Sequence, residues 1–301
     1  RFCRCVRQGR PAYMKCHLPG VRTWSARCGK ARARESGGEK KMDLNRELEL
    51  YVHIPFCVKK CGYCDFLSRP SCGNERERYL KALEYEIAAA GEEAHGRRVV
   101  SVFMGGGTPS ALDQKQLVSL LSNLRRHFSL TEDCEITLES NPGTLDFEKL
   151  KECRAAGFNR LCVGCQSADN RELRNLGRIH TFEEFLESFR LARDAGFRNI
   201  NVDLMSGIPG QKLQSWETSL VQIAELGPEH ISAYSLILEE GTPFYEQRET
   251  LDLPDEETER KMYTRTAELL AAYGYRQYEI SNYAREGWRC RHNLGYWTGR
   301  E

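Results

Sequence analysis

The chain has 301 residues, enough for one large α/β domain or two ordinary ones. Its 44 basic and 43 acidic residues leave a net charge of +1, so no global field favours nucleic acid or a membrane surface, and no nucleic-acid partner is expected. Thirteen cysteines do not read as a secreted disulfide framework in a chain this long, with three of them crowded into one loop and no signal peptide; a reducing compartment fits better.

Residues 1–34 hold ten Lys or Arg and no Asp or Glu. Mitochondrial presequences are Arg-rich and acid-poor, and usually also Ser-rich, but only Ser25 occurs here. Residues 1–41 therefore read as a transit segment, part of one, or an alternative exon, with Met42 as a candidate internal start and a mitochondrial location as the expectation. Cys3, Cys5, Cys16 and Cys28 have no ligand spacing. From Leu48, short apolar runs alternate with helical patterns: Leu50–Pro55, Val99–Met104, Cys134–Leu138, Arg160–Cys165, Ile200–Leu204 and His230–Leu238. Between them Leu80, Leu83 and Ile87 share a helix face, as do Leu117, Leu120, Leu121, Leu124 and Phe128, then Phe182, Phe185, Leu186 and Phe189, then Leu220, Ile223 and Leu226. Sixfold β-α alternation predicts a parallel sheet flanked by helices, an α/β fold. Gly157, Gly196 and Gly227 stand where helices should end. After Leu238 a punctuated connection leads to a helix with Met262, Thr266, Leu269, Leu270 and Tyr273 on one face, then a short strand near 277–280. The expected organisation is a basic segment (1–41), a core (42–240) and an incomplete C-terminal α+β extension (241–301), cut short directly after a motif-like stretch. No stretch of about 18 apolar residues occurs, so no transmembrane segment is expected.

Cys57, Cys61 and Cys64 are spaced Cys-x3-Cys-x2-Cys in a loop leaving the first apolar run. Three thiolates this close can hold three corners of a [4Fe–4S] cube and leave one iron open to a ligand, whereas clusters that only carry electrons usually have four cysteines. A structural zinc site also needs four ligands, and Cys72 lies too far along to belong to the same loop. At this motif the sequence resembles the radical S-adenosylmethionine (SAM) superfamily. The resemblance implies an open (β/α)6 partial barrel, and SAM bound through its amino and carboxylate groups to the open iron. It also implies that an electron from the cluster breaks a carbon–sulfur bond to release a deoxyadenosyl radical.

Polar motifs follow each apolar run, at the strand ends where barrels of this kind place their sites. Gly105-Gly106-Gly107-Thr108-Pro109 follows the second; bare glycines admit a ligand to the backbone, or make a tight turn. Glu139 ends the third, in Glu-Ser-Asn141-Pro-Gly; a carboxylate there suits a ribose diol, or the segment is a capping turn. Gln166 and Ser167 end the fourth, with Arg178-Ile-His180 beyond; Arg178 suits the methionine carboxylate of SAM. Asp203 lies within the fifth run and is costly to bury unpaired. Cys162 and Cys165 read as small core residues rather than a metal pair, since neighbouring strand positions alternate faces.

Taken together, Tyr51-Val-His-Ile-Pro-Phe-Cys57, the glycine loop, Gln166-Ser, Leu-Gly-Arg178-Ile-His180 and Asp203-Leu-x-x-Gly-Ile-Pro are similar to the oxygen-independent coproporphyrinogen III oxidase group, over roughly residues 47–301. The resemblance implies that Tyr51, Tyr63, Gly106, Gly107, Thr108, Glu139, Gln166, Arg178 and Asp203 contact SAM. One departure is Cys165, where a valine is usual. The oxidases of that group add a fourth cysteine two residues after the third; here Asp65 and Phe66 follow Cys64. The second branch, the HemW-type haem chaperones, has Cys-Asp-Phe and a His-Asn-x-x-Tyr-Trp motif, found here as His292-Asn293-Leu-Gly-Tyr296-Trp297. This branch, including its animal mitochondrial members, implies haem as a ligand, haem-accepting proteins as partners and an electron donor of ferredoxin or flavodoxin type. His292 can offer an imidazole to haem iron, with Cys290 as a rival ligand, and Tyr296 and Trp297 can pack on the porphyrin. The plain alternative is a polar loop histidine beside core aromatics. The function expected is haem delivery; the rivals are a coproporphyrinogen oxidase or another radical SAM enzyme.

Overall fold

The computed structural model describes residues 47–71 and 74–300; the basic segment, its four cysteines, Met42 and Cys72 lie outside the described residues. The chain opens with β1 (Leu48–Ile54) and the two-residue strands β2 (Phe56–Cys57) and β3 (Arg69–Pro70), which pair with each other around the cysteine loop. Then come α1 (Glu75–Glu93), β4 (Arg98–Gly106), a 3-10 turn at Pro109–Ala111, α2 (Gln114–His127), β5 (Ser129–Ser140), α3 (Phe147–Ala156), β6 (Arg160–Gln166), α4 (Asn170–Asn175) and α5 (Phe182–Asp194). The second half holds β7 (Ile200–Ser206), α6 (Leu213–Leu226), β8 (His230–Ser235), α7 (Pro243–Glu246), α8 (Glu256–Ala272), β9 (Arg276–Gln277), β10 (Asn282–Ala284) and α9 (Arg291–Thr298).

The main sheet runs β1-β4-β5-β6-β7-β8-β10-β9. Its first six strands are parallel, and β10 and β9 continue it antiparallel. This is the expected α/β architecture, with its six strands in sequence order. The sixth strand stops at Ser235, short of Leu238. The expected strand near 277–280 shrinks to Arg276–Gln277, and β10, too short to announce itself by alternation, makes the join to β8.

Alternation assigns the two faces of each strand. Val102, Met104, Ile136, Leu138, Leu161, Val163, Ile200, Val202, Leu204 and Ile231 face outward into one apolar core with the helices, each worth about 1.5–3 kcal/mol when fully buried. The helices start and stop where local chemistry directs. Asp113 with Gln116 and Thr181 with Glu184 form capping boxes at α2 and α5. Gly157 ends α3 at φ 113°, a left-handed position that a side chain disfavours. Trp216 of α6 donates from Nε1 to Thr266 Oγ1 of α8 at 2.9 Å, so the segment after residue 240 packs directly on the preceding unit.

The inward face is polar. Ser101, Glu135, Thr137, Arg160, Asn201 and His230 are all buried there. Cys165 joins the outer core, as expected of a small core residue. Cys162 turns inward instead, and its Sγ accepts from Arg160 Nη1 at 2.9 Å. A register shift between Gly164 and Gln166 separates the two further.

Candidate functional site

The ends of the cysteine loop are joined where Arg69 N–H donates to Pro55 O at 2.9 Å, and a turn within it is closed where Cys64 N–H donates to Cys61 O at 3.2 Å. Gly62 has no room for a side chain, because its Cβ would meet the ring of Phe244, and Phe244 N–H donates to Gly62 O. Phe244 belongs to α7 and, with Leu176, Met205 and Ile208, forms a second small apolar cluster against which Tyr63 packs.

Each thiol meets a different hydrogen-bonding group. Thr108 Oγ1 donates to Cys57 Sγ (3.6 Å), Arg178 Nη1 donates to Cys61 Sγ (3.7 Å), and Ser68 Oγ lies 3.9 Å from Cys64 Sγ. Burial pushes the Cys64 thiol up. Among the described residues, no three His, Cys, Asp or Glu side chains converge as one metal ion would require. A zinc ion would draw its thiolates to about 2.3 Å from one point, whereas a cube spreads three cysteines over three irons. The half-buried thiols and their donors fit the cube.

Behind the loop, Asn141 joins two of these donors. Its Nδ2 donates to Thr108 Oγ1 at 2.7 Å, and its Oδ1 accepts from Arg178 Nη2 at 2.6 Å. Arg178 Nη2 also donates to Gly164 O at 2.8 Å. A Cβ on Gly164 would stand 2.7 Å from Asn141 Oδ1, so glycine is required there. Arg178 Nε is buried without a hydrogen-bond partner, an orphan donor that a ligand carboxylate would satisfy.

The other strand-end residues gather at the same mouth. Gly106 N–H donates to Glu139 Oε2 at 3.0 Å. Desolvation first, then the nearby Asp203, push Glu139 up to about 8. Asp203 accepts from Asn201 Nδ2 at 2.7 Å, and burial raises it too. Gln166 sits in the left-handed region (φ 73°), which costs a side-chain-bearing residue roughly 1–2 kcal/mol; its Oε1 accepts from Tyr234 Oη at 2.8 Å. The glycine loop is tightly packed as well. Cβ atoms on Gly105, Gly106 and Gly107 would meet Glu139, the His53 ring and the Phe56 backbone. These glycines are demanded by the protein's own close packing, with Gly107 and Thr108 N–H bonded to Ile54 O and Phe56 O.

The His-Asn-x-x-Tyr-Trp stretch forms α9, which lies against β4. Its first turn is capped from far away: Glu135 Oε1 accepts from Arg291 N–H at 2.9 Å and from Cys290 Sγ at 3.4 Å. His292 is only 4% exposed. Its Nδ1 lies 3.0 Å from Ser101 Oγ and its Nε2 3.3 Å from Tyr296 Oη. Desolvation, then Arg160, hold the imidazole down to about 4, so it is neutral near pH 7. Tyr296 and Trp297, by contrast, are 52% and 56% exposed. The plain alternative, a polar loop histidine beside core aromatics, therefore needs correcting: the histidine is a buried helix residue, and the aromatics are outside the core. The reason is the helix itself, which turns His292 into the lumen and the following turn outward. Rings run from Tyr51 to Phe103 (6.1 Å between centroids), from Phe103 to His292 (5.2 Å) and from His292 to Tyr296 (5.2 Å), linking the strand-end set to α9. Burial pushes the Cys290 thiol up to about 12, so its thiolate form is disfavoured.

Sequence reasoning missed Asn141, Glu135, Phe103 and Tyr234 as site residues. Asn141 stands in a motif that was read only for its carboxylate. The other three carry no local signal, because strand pairing alone brings them to the lumen.

The Radical SAM superfamily profile matches residues 51–223. "Heme chaperone HemW" of Escherichia coli (strain K12) is 41% identical over 251 residues, covering 83% of this chain and 66% of that protein. The zebrafish (Danio rerio) "Radical S-adenosyl methionine domain-containing protein 1, mitochondrial" is 35% identical, covering 85% of this chain and 58% of that one. Among solved structures, the coproporphyrinogen III oxidase HemN of Escherichia coli superposes with a TM-score of 0.75 at 33% identity, covering 81% of this chain and 57% of that one. The chain thus spans about two thirds or less of the length of these relatives. It belongs to the radical SAM superfamily and, within it, to the HemW group.

Proposed function

We propose that this protein binds haem and passes it to acceptor proteins, from a core that carries a [4Fe–4S] cluster on Cys57, Cys61 and Cys64 and SAM at the strand ends. One observation carries the reading. Asp65 and Phe66 follow Cys64, where the oxidase branch has its fourth cysteine, and the same chain bears His292, Tyr296 and Trp297 on α9. The name of the bacterial relative, a heme chaperone, agrees with it.

When bound, the cluster supplies an electron toward cleavage of a SAM carbon–sulfur bond. The protein's own groups have separate tasks. Arg178 offers its orphan Nε to a carboxylate. Asp203 and Glu139 would meet ribose hydroxyls, and Glu139, held largely protonated near neutral pH, could donate as well as accept. Gln166, Tyr51, Tyr63, Gly106, Gly107 and Thr108 complete the SAM set. At α9, Tyr296 and Trp297 present aromatic faces to a porphyrin. His292 is neutral, with Nδ1 held by Ser101, the way protein ligands to metals are normally oriented; its Nε2, 3.3 Å from Tyr296 Oη, would be the atom offered to a haem iron. An electron donor of ferredoxin or flavodoxin type serves the cluster. The proposed compartment is the mitochondrion, by likeness to the zebrafish relative.

The second reading, coproporphyrinogen oxidation, has the likeness to HemN in its favour. The full-length protein, reconstituted without oxygen and given SAM, a strong reductant and coproporphyrinogen III, separates the two. No decarboxylated product by mass, beside a working oxidase, together with a haem Soret shift on haem addition, is the expected result. Decarboxylated product overturns haem delivery as the main activity, and absence of any haem spectrum removes it.

A further inference from the structure

We infer that Asn141 is a positioning residue that sets the hydrogen bonds to two of the three cluster thiolates, and through them the cluster's reduction potential. The inference rests on the reading that Cys57, Cys61 and Cys64 hold a cluster. Its warrant is donor arithmetic. A guanidinium only donates, so Arg178 Nη2, 2.6 Å away, fixes the amide oxygen of Asn141 on its own side. The amide nitrogen must then face Thr108, and it donates to Oγ1 at 2.7 Å. A threonine hydroxyl has one proton. With Asn141 already donating to its oxygen, that proton is free for Cys57 Sγ, 3.6 Å off. The same amide oxygen holds the guanidinium whose Nη1 donates to Cys61 Sγ at 3.7 Å. One side chain thus sets the direction of one bond and the position of another.

The arrangement is built. Thr108 is 3% exposed, Asn141 N–H donates to Ser110 Oγ at 3.4 Å, and Gly164 leaves the space the amide needs. Hydrogen bonds to sulfur stabilise the reduced, more negative cluster and raise its potential. A carboxylate in place of the amide would accept the Thr108 proton and take it from Cys57.

The test is an EPR-monitored redox titration of the full-length, anaerobically reconstituted protein as wild type, Thr108→Val, Thr108→Ser, Asn141→Asp and the double variant Asn141→Asp/Thr108→Val. Thr108→Val should shift the potential negative by about 60 mV, a tenfold change in a one-electron equilibrium, with iron and sulfide content unchanged. Thr108→Ser should restore the wild-type value. Asn141→Asp should shift it negative as well, but by clearly less when combined with Thr108→Val, because the proton it diverts is already gone. Equal shifts in both backgrounds would reduce the effect to added charge and overturn the relay. So would a Thr108→Val cluster at the wild-type potential, and that comparison decides the matter even if Asn141→Asp loses its iron. A wild-type protein that binds no cluster sinks the cluster reading itself, a different result from an intact cluster that ignores Thr108.

Discussion

The mouth of the barrel and the lumen beside α9 are built on different principles. At the mouth, Gly106, Glu139, Gln166 and Asp203 stand on four successive strands, with the cysteine loop between β2 and β3 and Arg178 just beyond α4. The lumen beside α9 is made by one short helix that comes back from far along the chain and lays His292 against Ser101 and Cys290 against Glu135. The first region is robust because each piece is anchored in the sheet. The second depends on contacts between segments about 156 residues apart. Side chains set by a strand end inherit the sheet's rigidity, and side chains set by a short returning helix inherit only that helix's contacts.

That contrast can be broken or sharpened by substitution. The largest effect belongs to the mouth: Cys61→Ala should abolish iron and sulfide uptake on reconstitution, while thermal stability of the cluster-free protein stays near wild type. Next comes Glu135→Ala, which removes the cap of α9. A loss of about 2 kcal/mol is expected in denaturant unfolding, with faster amide exchange in α9 and little change in cluster content. A matching loss of cluster would erase the distinction between the two regions.

Glu49 gives a smaller, pH-dependent effect. Its side chain is 7% exposed beside His292, and Gly295 packs against its carboxylate. Desolvation outweighs the attraction of Arg300 and raises its pKa to about 7. A folded pKa above the unfolded 4.5 means that stability is fully present below about 4.5 and is lost as the pH rises through 7. Glu49→Gln should therefore stabilise the protein at pH 8, by on the order of 1 kcal/mol after the discount for solvent screening, and leave it nearly unchanged at pH 4.5. Melting curves at the two pH values read this directly, and a pH-independent shift would refute it. Smallest in stability is Gln166→Gly: relief of about 1 kcal/mol of left-handed strain roughly offsets the lost bond to Tyr234. SAM affinity by calorimetry should nevertheless fall about tenfold, a loss near 1.4 kcal/mol. Unchanged SAM binding would remove Gln166 from the site.

The same contrast decides what the sequence disclosed. The six strands, the outward apolar face and the strand-end residues were legible, because period-two alternation and short loops place them without reference to anything distant. Arg178 was legible as a residue and not as a geometry: its hold on Asn141, Gly164 and Cys61 depends on how β5 and β6 lie side by side. His292 was legible as a motif, but its burial was not, since that requires knowing that α9 enters the lumen. The three glycines were legible as a place where the backbone must come close to something, but not that Glu139, His53 and the strand leading to Cys57 pack against them.

The remote cap of α9 also bears on the order in which the molecule assembles. A helix of eight residues is too short to persist alone in water, and Cys290 at its start makes no side-chain cap of its own. Its first-turn N–H group at Arg291 is satisfied by a carboxylate on β5. The helix therefore gains its cap only where β5 is already in place, and contacts that close so long a stretch of chain form slowly. The aromatic pair on α9 should accordingly be completed late in folding, after the sheet that carries the cysteine loop.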